Sequence, residues 1–161
     1  MITHLRIDNR LIHGQVAVTW KNHIGADKII VTNDKVAADP IQKMALPMAA
    51  RGSTVLVLTV DECIQYAKDH PDETMFVIAK FPTDALQILE SGVEVKEVNV
   101  GNAAPVNGTD YKMVDKSIAC TKEDAAVYRH IAEMRGGKLM SRLTPANEAN
   151  DFLELLTKAG F

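Results

Sequence analysis

Cysteine, aromatic residues, excess positive charge and long hydrophobic runs are all scarce in this chain. Two cysteines in 161 residues, Cys63 and Cys120, are too few for a disulfide framework. No C-x-x-C or Cys/His cluster offers a structural zinc site, and no metal is expected. Both cysteines sit in apolar surroundings and are expected to be reduced core thiols of a cytosolic protein. Aromatics make up 5% of the chain, with one tryptophan, Trp20, near no cofactor motif and expected in the core or an interface. Eighteen basic residues against 21 acidic ones give a net charge of −3. That balance argues against a nucleic-acid partner held by bulk electrostatics and against a polybasic membrane anchor. The longest apolar runs, such as Val55-Leu-Val-Leu58, are far too short to span a bilayer. The opening residues, Met1-Ile-Thr-His-Leu-Arg-Ile-Asp8, carry charge and alternate, unlike a signal peptide. The expectation is a soluble, cytoplasmic protein that can still serve a membrane complex.

What is present fits one ordinary domain spanning residues 1–161, with 47% hydrophobic and 24% charged residues. Strand-like runs rich in Val and Ile fall at Ile2–Ile7, Lys28–Thr32, Thr54–Thr59, Met75–Lys80, Val95–Val100, near Ser117–Ala119, and at Lys138–Ser141. Several are apolar on both faces, as strands covered on both sides are. Helical patterns lie between them, at Gly14–His23, Pro40–Ala50, Asp61–Lys68, Thr83–Ser91, from Thr121 onward, and at Pro145–Ala159. Asp39 and Pro40 read as an N-cap and first helical residue. Thr121-Lys-Glu-Asp124 approximates a capping box. The alternation predicts an α/β fold: an open, mostly parallel twisted sheet of about seven strands with helices on both faces. In such sheets ligands bind beyond the carboxyl ends of the strands, which points to the loops Asp8–Gly14, Asn33–Asp39, Lys80–Pro82 and Gly101–Asn107.

The first of these loops carries the most chemistry. Arg6-Ile-Asp-Asn-Arg-Leu-Ile-His-Gly-Gln-Val16 follows a strand and precedes a helix. Unpaired N–H groups at a helix N-terminus bind anions, and Arg10 can grip phosphate oxygens with two nitrogens. An imidazole such as His13 can attack phosphorus and later leave again. The plain alternative is an ordinary Asp8–Arg10 ion pair with His13 as a loop cap. Neither a P-loop nor a G-x-G-x-x-G is present.

The segment Arg6-Ile-Asp-x-Arg-Leu-Ile-His-Gly-Gln-Val16 resembles the active-site segment of IIB subunits of the bacterial phosphoenolpyruvate-dependent sugar phosphotransferase system, of the mannose–fructose–sorbose type. The likeness continues through Trp20, Asn33-Asp-x-Val-Ala-x-Asp39, Lys80-x-Pro-x-Asp-Ala-Leu86, Asn99-Val-Gly-Asn102 and Asn107-Gly108. The last two lean toward the N-acetylgalactosamine or galactosamine branch. The resemblance implies a cytosolic phosphocarrier in which His13 accepts a phosphoryl group from a IIA subunit, on Nδ1. It implies transfer onward to a sugar imported through the membrane components IIC and IID, at whose inner surface the carrier would sit. Arg10 would pair with the phosphoryl oxygens, and Asp8 would order the loop or the arginine. No IIA domain is evident, so the donor would be a separate protein, and no cofactor is expected. Family members are often dimers, which leaves a homo-oligomer open.

The remaining loop residues are secondary. Asn9, Leu11, Ile12, Gly14 and Gln15 would shape the phosphoryl-binding loop, with Leu11 and Ile12 either exposed for docking or packed beneath it. Asn33, Asp34, Lys80, Phe81 and Asn102 would line the crevice or serve as turn formers, caps and surface groups. His4, His23, His70 and His130 have no ligand spacing and are expected to be structural or solvent-facing. The rival from another class is a non-enzymatic module, or a degenerate IIB-like regulator, that binds an anion or partner at the same loop.

Overall fold

The computed structural model describes residues 1–161. In chain order the elements are β1 (Ile2–Asp8), α1 (Val16–Ile24), β2 (Lys28–Thr32), α2 (Asp34–Ala38), α3 (Pro40–Ala49), β3 (Val55–Leu58), α4 (Val60–Asp69) and β4 (Met75–Ala79). The second half contains α5 (Pro82–Glu90), β5 (Val95–Asn102), β6 (Tyr111–Asp115), β7 (Ile118–Thr121), α6 (Lys122–Met134), β8 (Met140–Ser141), β9 (Asn150–Asp151) and α7 (Phe152–Lys158). Seven strands form one sheet in the order β3-β2-β4-β1-β5-β8-β9, and β6 pairs only with β7. All pairs in the large sheet are parallel except β8 with β9. No helix is long and apolar enough to cross a membrane.

The sheet is buried on both faces because its strands carry apolar residues at both parities. Every residue of β4 is buried. On one face Leu5, Ile7, Val77, Cys63, Ile88 and Phe152 form the larger core, and on the other Ile29, Val31, Phe76, Ile78 and Trp20 form the smaller one. Both cysteines are free and buried, and burial pushes each thiol up to about 12.

Several expected boundaries move, each for a local reason. Asn33–Asp39, read as a loop, holds the short helix α2, because Asn33 Oδ1 accepts the Val36 amide. Asp39 does cap α3, accepting from Ile41 N and Gln42 N. The stretch Gly101–Asn107, read as a loop, keeps Gly101 and Asn102 in β5, and residues 111–115, given no element from sequence, form β6. Tyr111, Lys112 and Met113 are exposed, so β6 lacks the apolar pattern that marks a strand in sequence. The helix expected at Pro145–Ala159 begins only at Phe152, capped by Asp151. Arg142 takes up the preceding stretch by donating to the carbonyls of Asn147 and Pro145.

β1 turns its even residues, His4, Arg6 and Asp8, toward α1, and all three are buried. His4 stacks on Trp20 with ring centroids 4.7 Å apart, and its Nδ1 lies 3.1 Å from Glu97 Oε2. Nε2 of the same ring has no partner. Burial pulls the imidazole down to about 4, with Glu97 opposing and Arg6 and His23 adding to the depression. The unfolded chain therefore binds a proton here more readily than the folded one. The stability gained by keeping His4 neutral is present above pH 6.5 and is lost as pH falls toward 4. Urea unfolding of wild type and His4→Gln between those limits checks this. The variant should lose less stability per pH unit, by at most about 1.4 kcal/mol; parallel curves would contradict it.

Candidate functional site

β1 lies at the centre of the sheet, with β4 on one side and β5 on the other. The chain leaves β1 toward β2, on the β4 side, whereas β5 continues toward β8. The connections thus diverge above the carboxyl ends of β1 and β5, where open α/β sheets hold their ligands. The loop from Asp8 to Gln15 sits at that point.

Asp8 ends β1, is 2% exposed, and anchors the loop. Its Oδ2 accepts Arg6 Nε at 3.2 Å and Arg6 NH2 at 3.1 Å. Its Oδ1 accepts the Arg10 backbone N–H at 3.0 Å and lies 3.6 Å from Arg10 Nε. Asn9 fastens the loop to the chain after β5 through a reciprocal pair, Nδ2 to Ala104 O and Ala104 N to Oδ1, both 2.9 Å. The backbone then turns at Leu11, whose φ is +62°, a conformation that costs a branched-chain residue roughly 1–2 kcal/mol. Leu11 and Ile12 are 6% and 7% exposed, in the core with Trp20 and Ala17. Of the two alternatives the sequence left open for this pair, docking surface or packing beneath the loop, the structure shows the packing, which offsets the strain at Leu11.

With Leu11 and Ile12 turned inward, His13, Gly14 and Gln15 stand exposed. Gly14 has φ +54°, which lets the chain rise from the loop into α1 without strain. Gln15 is the N-cap of α1, one position before the first turn where it was expected, and its side chain makes no capping bond. The first amides of α1 therefore have no side-chain cap, and the Val16 amide donates to the His13 carbonyl at 3.4 Å.

Arg10 is half-buried, with its guanidinium tethered on one edge. In the amide orientation that satisfies both of its polar atoms, Asn102 accepts from Arg10 Nε at 2.9 Å and donates to Ser117 O at 3.0 Å. Neither terminal nitrogen of Arg10 meets a protein acceptor, since Asp8 and Asn102 engage only its Nε edge and backbone. Asn102, 4% exposed, thus joins the loop to the β6–β7 turn.

The other expected crevice residues divide. Lys80 and Phe81 line a cavity of about 490 Å³ with Asn9, Ala104, Tyr111, Asp124 and Tyr128, and Lys80 Nζ lies 5.2 Å from the Phe81 ring centroid. His13 and Arg10 are outside that lining. Asn33 is buried and caps α2, donating to Asp84 Oδ2 at 3.0 Å. Asp34 is exposed but accepts the Val60 amide at the start of α4. Both therefore hold helix ends, the capping role that the sequence also allowed.

Arg6 had no role assigned from sequence, yet it organises the floor of the site. It is 1% exposed, and its NH1 and NH2 also donate to the carbonyls of Arg142 and Leu143, each at 3.0 Å. Burial draws its guanidinium below the ordinary arginine value, and Asp8 opposes that fall. An arginine and an aspartate two apart in an otherwise apolar strand share a face, which was the available signal of a buried pair. The Trp20 indole covers the group, with Arg6 Cζ 5.5 Å from its ring and its N–H on Leu143 O at 3.0 Å.

Comparison with known proteins covers almost the whole chain. Residues 2–161 match the family described as the PTS system sorbose subfamily IIB component. The chain is 33% identical over 153 residues to N-acetylgalactosamine-specific phosphotransferase enzyme IIB component 2 of Escherichia coli, covering 94% of this chain and 96% of that one. It is 31% identical over 156 residues to the mannose-specific EIIAB component of the same organism, covering 95% of this chain and 47% of that protein. The crystal structure of the IIB domain of the sorbose permease from Klebsiella pneumoniae superposes with a TM-score of 0.90 at 30% identity, over 100% of this chain and 99% of that one.

Proposed function

The chain belongs to the sorbose subfamily of phosphotransferase-system IIB components, which are phosphotransferases, and from that membership we propose that it carries the phosphoryl group on His13. A phosphocarrier role in a sugar phosphotransferase system follows from the family itself. The donor is a phosphohistidine on a IIA protein. The name of the E. coli EIIAB relative fits such a pairing, since this chain covers only its 47% share. The acceptor is a sugar hydroxyl presented by the membrane components IIC and IID, with the carrier on their cytoplasmic side. Residues 1–161 act as one IIB unit, and no cofactor takes part.

The chemistry needs only positioning and charge. Nδ1 of His13 attacks phosphorus in line with the donor nitrogen, the new P–N bond forms as the old one breaks, and the donor imidazole departs neutral. In the second step the sugar oxygen attacks, its proton passes to solvent or a base on the membrane partner, and Nδ1 leaves. Between two imidazoles the exchange is close to isoenergetic, so the rate rests on alignment and on neutralising the equatorial oxygens. The observation that carries this reading is the pairing of an exposed imidazole with a guanidinium whose terminal nitrogens are unpartnered, in one loop. Arg10 and the N-terminal end of α1, which flank His13 in the chain, would neutralise that charge together.

The test is phosphorylation by a reconstituted cascade of phosphoenolpyruvate, the two general phosphotransferase proteins and candidate IIA subunits, read by intact mass and phosphorus NMR. The expected product is a singly phosphorylated, acid-labile phosphohistidine. Saturable phosphate binding with no covalent product from any matched IIA would favour the anion-binding module instead.

A further inference from the structure

We propose that Arg6 is a positioning residue for phosphoryl transfer: by occupying Oδ2 of Asp8, it keeps that carboxylate from chelating Arg10 and leaves the terminal nitrogens of Arg10 open to the phosphoryl group. The inference rests on the phosphocarrier reading and deepens it.

A carboxylate beside a single guanidinium prefers the two-pronged pairing in which both oxygens accept from parallel N–H groups. Asp8 has two guanidiniums within reach but does not treat them alike. Oδ2 is taken by Arg6 through Nε and NH2, at 3.2 and 3.1 Å. Only Oδ1 is left for Arg10, and it is spent on the backbone N–H at 3.0 Å, with Arg10 Nε no nearer than 3.6 Å. Asn102 takes the same Nε edge at 2.9 Å. Arg10 is thereby fixed along one side and free along the other. Were Oδ2 vacant, Asp8 would close on Arg10 and withdraw the fork that the phosphoryl oxygens need.

Arg6 is built to stay where it is. Its NH1 and NH2 are held by the carbonyls of Arg142 and Leu143, and the first of these also accepts from Asn99 Nδ2 at 3.0 Å. The guanidinium presses on the backbone of β5 at Gly101, where a Cβ would lie 2.1 Å from Arg6 Cζ. Glycine is therefore required at 101 by the presence of Arg6 and not by its own backbone angle. Lysine cannot replace the fork, because a single ammonium cannot serve two carboxylate bonds and two separated carbonyls in one plane.

Arg6→Lys and Gly101→Ala test this from opposite sides, one removing the fork and the other displacing it. The first readout is the NMR of the Arg10 side chain in the unphosphorylated protein. In wild type the terminal N–H signals of Arg10 should average by rotation about the guanidinium bonds. In either variant they should slow and resolve as Asp8 pairs with both edges. Unchanged Arg10 signals in a folded variant would overturn the proposal. The second readout is the rate of phosphoryl acceptance. Arg6→Lys should lower it by at least about tenfold, and the double variant of Arg6→Lys with Arg10→Gln should be little slower than Arg10→Gln alone. Losses that multiply independently would also overturn it. Should wild type take no phosphoryl group from any donor, the carrier reading fails, and the Arg10 signals still decide the role of Arg6. Should Arg6→Lys not fold, Gly101→Ala carries both readouts.

Discussion

His13→Ala is expected to take up no phosphoryl group at all in the reconstituted cascade, while unfolding at the same temperature as wild type to within a few degrees. The first half follows from the location of the imidazoles. Of the five histidines, His4 is buried and stacked on Trp20, with burial opposing its charge. His70 stacks on Tyr66 at 3.9 Å between ring centroids and has Nδ1 against the Tyr66 carbonyl. His23 is exposed, but at the last turn of α1, where the helix dipole repels an anion. His130 is exposed on α6, more than two turns from the helix's N-terminal end. Only His13 is exposed beside a helix N-terminus and an arginine with unpaired nitrogens. The second half follows because an exposed side chain without hydrogen-bond partners supports little stability, usually within about 0.5 kcal/mol. Intact mass of wild type, His13→Ala and His130→Ala after the cascade checks the first half. Phosphate persisting in His13→Ala would move the acceptor to another histidine and with it the whole reading of the loop.

The physical basis of this site was partly legible in the sequence. The strands of the large sheet declared themselves because burial on both faces leaves unbroken apolar runs, as in Ile29–Val31 and Met75–Ala79. The loop motif announced its own position for a similar reason: a strand, a glycine and a helix start are local features. What stayed hidden was set by distance along the chain. Arg6 meets Leu143, and Asn9 meets Ala104, across 137 and 95 positions. No pattern within a window of ten or fifteen residues encodes such a pairing. The burial of Leu11 and Ile12 was equally undecidable from spacing, since a loop residue at positive φ can point either way until the core beneath is known. Asn33 and Asp34 looked like crevice residues because they follow β2, and it took the positions of Asp84 and Val60 to turn them into caps.

Arg10→Gln should leave His13 able to accept a phosphoryl group but slow the transfer by about 10²–10³-fold, the usual consequence of removing one preorganised donor from a developing anion. Glutamine keeps one neutral donor near the Nε position and loses the charge, the fork and the reach of the terminal nitrogens. The Asp8 and Asn102 contacts depend on the Arg10 backbone N–H and on Nε, so only part of that tether survives the change. Arg10 is half-buried and Asp8 still has Arg6, so no buried carboxylate is left uncompensated and the fold should hold. The loss should therefore appear in rate and not in the thermal unfolding midpoint. It should also appear in the lifetime of the phosphorylated protein, because the guanidinium that lowers the barrier also shields the phosphoryl group from water. Single-turnover transfer from phospho-IIA, followed by rapid quench for both proteins, measures the first, and decay of the phosphohistidine signal measures the second. A variant that matched wild type in both would remove Arg10 from the chemistry, leaving the amides of α1 as the only groups on this chain placed to receive the charge.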